Sequence, residues 1–136
     1  MPSSLAKHRR AAFARQNGRC HYCGFPMWLE DPSELSAPFG LSDHESARLQ
    51  CTAEHLVARQ DGGGDGADNI VAACLFCNAT RHRLSPSPDA TKYRHHVQRQ
   101  LDTSGWHRKR LRQRLAEFSL RSMGANGICQ GSARVG

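Results

Sequence analysis

The sequence predicts a small α+β domain in which two short strands and several helices surround a metal centre. Four cysteines form two Cys-x-x-Cys pairs, Cys20/Cys23 and Cys74/Cys77, and two strand-like segments lie near the second pair. Leu, Ile, Val and Phe number only 23 of the 136 residues, a low apolar content for a charged chain. A structural zinc ion, whose binding free energy is about 10–16 kcal/mol in small peptides, can supply the stability that a small core lacks.

For the first third of the chain, the sequence predicts a helix followed by loops. Residues 4–16 have a helix-forming composition, and Asn17-Gly18 ends the helix immediately before the first cysteine pair. Residues 24–43 contain three prolines, which predict loops.

For the middle of the chain, the sequence predicts two strands separated by a flexible loop. Residues 49–55 alternate apolar and polar side chains, and residues 70–73 are a short apolar run. The glycine-rich segment 61–66 lies between them. Three further segments predict helices, at residues 75–84, 89–101 and 106–120.

The cysteine pairs have the spacing of a closed zinc site. Tetrahedral zinc takes four thiolate or imidazole ligands, and a two-residue gap lets both sulfurs of a pair bind one ion. Gly24 and Asn78 follow the two pairs and suit the tight turns of such a site. Two disulfides or buried thiols are the alternatives, but no apolar signal region precedes the first pair. Cys51 is expected to be a packed residue, and Cys129 receives no role.

The positive charge is concentrated near the two ends of the sequence. The net charge is +7; residues 1–20 carry five Lys or Arg and no acid, and residues 92–114 carry eight against Asp102 alone. This distribution indicates a partner with a phosphate backbone, although solvated helix faces would give the same pattern. The longest apolar run, residues 70–77, is shorter than the roughly 20 residues of a membrane span. We therefore expect a soluble, reduced, cytoplasmic protein with no membrane partner.

The sequence contains, in this order, Cys20-x2-Cys23, Glu54-His55, Asn69 and Cys74-x2-Cys77-Asn78-x3-His82. These motifs resemble those of the HNH endonucleases that contain a zinc-bound ββα-metal (His-Me finger) core. The resemblance covers roughly residues 9–83. It implies a strand that ends in an acid-His pair, a glycine-bearing loop, a second strand and a helix. Together with the charge distribution and the predicted helices, it predicts three regions: an HNH nuclease domain with an N-terminal basic helix at 1–88, a basic helical extension at 89–122 and a flexible tail at 123–136.

The residue types within this motif suit metal-assisted hydrolysis. Consecutive strand residues point to opposite sides, so Glu54 and His55 cannot both face one ion. Asn78 and His82, four apart on a helix, share a face and can bind a cation together with Glu54. Such a set of O and N donors suits Mg²⁺, Mn²⁺ or Ni²⁺, and His55 is then free to act as general base. The resemblance implies that Asn69 holds the loop and orients the histidine.

Each of these residues also has a simpler interpretation when taken alone. Glu54 could be a surface carboxylate, Asn69 a turn residue, Asn78 a helix cap, and the two histidines structural or surface residues.

Two functions follow from the sequence. The first is a metal-dependent endonuclease that hydrolyses DNA phosphodiester bonds. The alternative is a zinc-stabilised nucleic-acid-binding module without catalysis. In either case the expected phosphate contacts are basic residues near the motif and in the last predicted helix: Arg59, Arg81, Arg83, Arg108, Lys109, Arg110, Arg112 and Arg114.

Overall fold

The computed structural model describes residues 3–103 and 105–117. The predicted tail, the end of the last predicted helix and Cys129 lie outside these residues. In chain order the elements are α1 (Ser4–Arg15), α2 (Ser33–Phe39), α3 (Asp43–Arg48), β1 (Cys51–His55), a 3₁₀ turn (Arg59–Asp61), β2 (Ile70–Cys74), α4 (Leu75–Arg83) and α5 (Ala90–Asp102), and residues 109–117 form a further helix, α6.

The two strands and α4 form a ββα unit at the centre of the fold. Strand β1 pairs antiparallel with β2, with Cys51 opposite Cys74 and His55 opposite Ile70. Helix α4 begins directly after β2, and the Cys74 side chain caps it by accepting a hydrogen bond from the Cys77 backbone N–H. The predicted α+β class and the order of strand, loop, strand and helix are confirmed.

Helix α1 covers the free edge of β2. The Gln16 carboxamide donates to the Ala72 carbonyl at 2.8 Å and accepts from the Ala72 N–H at 2.9 Å. These contacts satisfy strand backbone groups that lack a neighbouring strand. Asn17 and Gly18 then adopt positive φ angles of 55° and 73°, which turn the chain so that Cys20 reaches the end of the sheet.

Two short helices, α2 and α3, lie between α1 and β1 in the sequence, where the sequence predicts mainly loops. Helix α2 contains Pro38 and ends at Gly40, whose φ is 65°. Helix α3 begins with a capping box in which Ser42 and Glu45 exchange side-chain to backbone hydrogen bonds. The loop prediction for residues 24–43 is therefore wrong over α2, because a proline in the last turn of a helix removes few backbone hydrogen bonds.

One hydrophobic core extends from the sheet to the C-terminal helices. The core includes the four cysteines of the two pairs, Tyr22 and both alanines of β2, and also Tyr93 and Val97 of α5. Trp106, Leu111 and Leu115 join the same core, so the described part of the C-terminal extension packs against the ββα unit. No helix in the described part of the chain is long and apolar enough to cross a membrane.

Candidate active site and metal centre

The two cysteine pairs converge on one point. Cys20 and Cys23 lie in the turn after α1, Cys74 ends β2 and Cys77 lies in the first turn of α4. All four are buried, and their sulfur atoms lie within 4.8 Å of one another. Sulfurs that bind one tetrahedral zinc at about 2.3 Å are about 3.8 Å apart, so the four thiols fit such an ion. None of the described cysteines forms a disulfide, which argues against the disulfide alternative.

Hydrogen bonds to the sulfur atoms also favour metal binding. The Cys74 N–H donates to Cys20 Sγ at 3.3 Å, and the Tyr22 N–H donates to the same sulfur at 3.4 Å. The Trp106 indole N–H donates to Cys77 Sγ at 3.3 Å. Donors directed at sulfur favour its thiolate form, which is the form that binds metal.

Glu54 is buried near the end of β1 and has a partner on each oxygen. It is 1% exposed. Its Oε2 accepts from the Tyr22 hydroxyl at 2.9 Å and from Arg81 Nη1 at 3.1 Å. Its Oε1 lies 2.9 Å from His82 Nε2. Burial, followed by the charge of Glu54, raises the pKa of Tyr22, so this tyrosine remains a hydrogen-bond donor. Glu54 is thus not a surface carboxylate.

Asn78 and His82 share one face of α4 and meet β1. Asn78 Nδ2 donates to Thr52 Oγ1 at 3.0 Å and to the Ala53 carbonyl at 3.4 Å. This arrangement leaves the carboxamide oxygen of Asn78 as its potential ligand atom. Asn78 does not cap α4, since Cys74 does. Glu54, Asn78 and His82, together with His55, line an open groove of about 560 Å³.

The loop between the strands is held by Asn69. Its Oδ1 accepts from the Val57 N–H at 2.8 Å, and its Nδ2 donates to the carbonyls of Val57 and Gly64 at 3.0 and 2.9 Å. Gly63 passes so close to Val57 that a Cβ on Gly63 would lie 1.7 Å from the Val57 carbonyl oxygen. Asn69 is therefore more than a turn residue: it restrains the loop that begins beside His55.

His55 faces the groove and contacts two charged residues of the loop. Its Nε2 lies 2.7 Å from Asp65 Oδ1 and 3.2 Å from Arg59 Nε. The hydrogen bond to His55 lowers the pKa of Asp65. The sequence gives no signal for Asp65, because its position depends on how the glycine-rich loop folds back toward β1.

Arg81 is buried rather than available to phosphate. It is 3% exposed, and its guanidinium donates to Glu54, to the Tyr22 hydroxyl and to the carbonyls of His55, Leu56 and Pro88. The expectation that Arg81 contacts phosphate is corrected accordingly. Its burial follows from Glu54, since a buried carboxylate requires a buried cation or hydrogen-bond donors.

The other basic residues differ in solvent exposure and in whether they form an ion pair. Arg59 is 61% exposed at its side chain, lines the groove and pairs with Asp65 at 3.1 Å. The exposed Arg83 donates to Thr80 Oγ1 at 3.0 Å. On α6, Arg110 pairs with Glu45, Arg114 lies 3.7 Å from Glu117 and Arg112 is partly buried. Arg108 and Lys109 are exposed.

Comparison with known protein families gives a match to part of the chain. Residues 40–84 match the family model described as HNH endonuclease. The matched segment contains both strands, the loop and α4, and therefore Glu54, His55, Asn69, Asn78 and His82. No curated protein and no solved structure matches this chain. The resemblance inferred from the motifs is confirmed for this segment.

Proposed function

We propose that this chain, whose residues 40–84 match the HNH endonuclease family model, is a metal-dependent endonuclease that hydrolyses DNA phosphodiester bonds. One observation carries the proposal: His55 lines the same open groove as two candidate metal ligands, Glu54 of β1 and His82 of α4. Glu54 Oε1 and His82 Nε2 lie 2.9 Å apart.

Glu54, Asn78 and His82 would hold the catalytic divalent metal. Two neighbouring ligands of an octahedral ion at about 2.1 Å are about 3 Å apart. The distance of 2.9 Å between Glu54 Oε1 and His82 Nε2 fits this spacing. Oxygen and imidazole donors suit Mg²⁺, Mn²⁺ or Ni²⁺, whereas the four cysteines suit structural zinc. When bound, the catalytic ion stabilises negative charge on the phosphate and on the leaving oxygen.

His55 acts as the general base. Its Nε2 is engaged by Asp65 and Arg59, so Nδ1 is the ring nitrogen that would accept a proton from the attacking water. Asp65 restrains the ring through its 2.7 Å contact with Nε2. Asn69 restrains the backbone at Val57, two residues farther along the chain.

The substrate assignment depends on charge. The chain carries a net charge of +7, and the positive side chain of Arg59 lies at the groove. A polyanion is attracted to such a surface through its phosphates without regard to sequence. DNA is the substrate class that agrees with both the charge and the family match.

The test is cleavage of supercoiled plasmid with Mg²⁺, Mn²⁺ or Ni²⁺. We expect His55→Ala to reduce the cleavage rate by about 10²–10⁴-fold, the usual contribution of a general base. Zinc content, folding and DNA affinity should stay near wild type, because His55 contacts neither the cysteines nor the proposed metal ligands. His44→Ala, which removes an exposed histidine of α3, is the matched control and should cleave normally. A His55→Ala protein that nicks plasmid at the wild-type rate would refute the proposal and favour the non-catalytic binding module.

A further inference from the structure

We propose that Arg81 and Tyr22 are positioning residues that fix the Glu54 carboxylate, so that only Oε1 is presented to His82 and the catalytic metal. This inference rests on the proposed function and adds two residues outside the predicted ligand set. Both residues lie within hydrogen-bond distance of Oε2, the oxygen that faces away from His82.

The burial of the group makes the orientation of Glu54 a requirement. Glu54, Tyr22 and Arg81 are 1%, 0% and 3% exposed, so water cannot replace a missing hydrogen bond. A buried carboxylate that loses a partner is strongly destabilised. With two donors on Oε2, the carboxylate cannot rotate without breaking both hydrogen bonds, and Oε1 stays directed at His82.

Arg81 also connects the proposed metal site to the proposed base. Its Nη1 donates to the His55 carbonyl at 2.9 Å as well as to Glu54 Oε2. Its Nη2 donates to the Leu56 carbonyl at 3.0 Å, and its Nε donates to the Pro88 carbonyl at 3.0 Å. The planar guanidinium holds its N–H donors in a rigid fork spread over three nitrogens, whereas the donors of a lysine ammonium all leave from one nitrogen. One side chain therefore holds both Glu54 and the backbone of His55.

Tyr22→Phe tests the orientation of Glu54 with the smallest possible change. The variant removes one hydrogen bond to Oε2 and leaves the volume of the ring. We expect the affinity for Mn²⁺, measured by titration calorimetry on the zinc-loaded protein without DNA, to fall about 10-fold or more, since loss of a partner of a metal ligand typically costs 10–100-fold. At saturating Mn²⁺ the plasmid cleavage rate should return close to the wild-type value.

Tyr93→Phe is the matched control. Tyr93 is also buried, packs edge-to-face on Tyr22 with ring centroids 4.8 Å apart, and donates its hydroxyl to the Cys77 carbonyl at 2.7 Å. Its hydroxyl does not contact Glu54, so Mn²⁺ affinity should stay near wild type. An equal loss of Mn²⁺ affinity in both variants would indicate a general packing effect and overturn the proposal.

Arg81→Lys separates the two roles of Arg81. We expect weaker Mn²⁺ binding and, unlike in Tyr22→Phe, a cleavage rate that stays low at saturating Mn²⁺ because the His55 backbone is no longer held. If Tyr22→Phe and Arg81→Lys both bind Mn²⁺ as the wild type does, the positioning roles are refuted while the nuclease assignment stands. If the wild-type protein has no Mn²⁺ site that His82→Ala removes, the metal site of the proposed function fails, and this inference fails with it.

Discussion

Gly63 and Gly64 are adjacent glycines with opposite environments, although both lie beside the Asn69 side chain. A Cβ at Gly63 would meet the Val57 carbonyl oxygen at 1.7 Å and Asn69 Nδ2 at 2.8 Å, whereas a Cβ at Gly64 would meet nothing within 4 Å. Contacts this short force the backbone to move. The loop that restrains the backbone near His55 therefore depends on one particular glycine.

We predict that Gly63→Ala reduces plasmid cleavage about 10-fold or more. Separating Gly63 from Val57 breaks the hydrogen bonds of Asn69, each contributing about 0.5–1.5 kcal/mol, and displaces the backbone near His55; misplacement by about 1 Å can cost about 100-fold in rate. Zinc content should not change, because the loop lies away from the cysteines. Gly64→Ala is the control and should cleave at the wild-type rate. Equal rates for the two variants would show that the Asn69 hydrogen bonds do not control catalysis.

At the level of elements, the local pattern of the sequence predicts the strands, α1, α4 and α5 to within a few residues. Alternation identifies β1, and a short apolar run identifies β2, in which four of the five residues are buried. The sequence does not predict α2, because Pro32 before the helix and Pro38 within it favour a loop in the local pattern. The Ser42-x-x-Glu45 pattern is a capping box and is the local signal that could have identified α3.

The candidate site shows where local patterns stop being sufficient. The positions of Glu54, His55, Asn78 and His82 follow from strand alternation and helix periodicity. The burial of Arg81 and the approach of Asp65 to His55 do not, because both result from contacts between segments distant in sequence. A charged side chain is usually exposed, so the sequence alone favours a surface position for Arg81.

The basic residues at the start of α6 and directly before it are expected to contribute to DNA affinity. Arg110 pairs with Glu45, and no ion pair forms at Arg108 or Lys109 among the described residues. We expect the double variant Arg108→Gln/Lys109→Gln to reduce the slope of log affinity for DNA against log salt by roughly 2, about 0.9 for each phosphate that the variant no longer neutralises. Arg110→Gln should change the slope less, because the charge of Arg110 is already neutralised. An unchanged slope in the double variant would show that α6 is a solvated surface.

For the whole molecule, the cysteine cluster joins segments that are far apart in the sequence. It connects the turn after α1 to the end of β2 and the start of α4. The C-terminal segment packs on it as well: Trp106 donates to Cys77 Sγ, and His107 Nε2 lies 3.4 Å from Cys23 Sγ. His107 also stacks on Phe25 with ring centroids 4.5 Å apart. The candidate metal centre thus lies where segments distant in the sequence meet.

We predict that loss of this centre unfolds the protein, and two cysteines of equal burial provide the comparison. Cys77→Ala removes a sulfur of the cluster, whereas Cys51→Ala removes an equally buried sulfur outside it. Burial raises the pKa of Cys51 to about 11, so this thiol stays neutral.

Zinc binding contributes about 10–16 kcal/mol in small peptides, which equals or exceeds the total stability of about 5–15 kcal/mol of a typical domain. Metal analysis and circular dichroism should therefore show about one zinc per folded chain for wild type and Cys51→Ala, and an unfolded or aggregated Cys77→Ala protein with little zinc. A folded Cys77→Ala protein with a full equivalent of zinc would show that the four cysteines do not form one structural site.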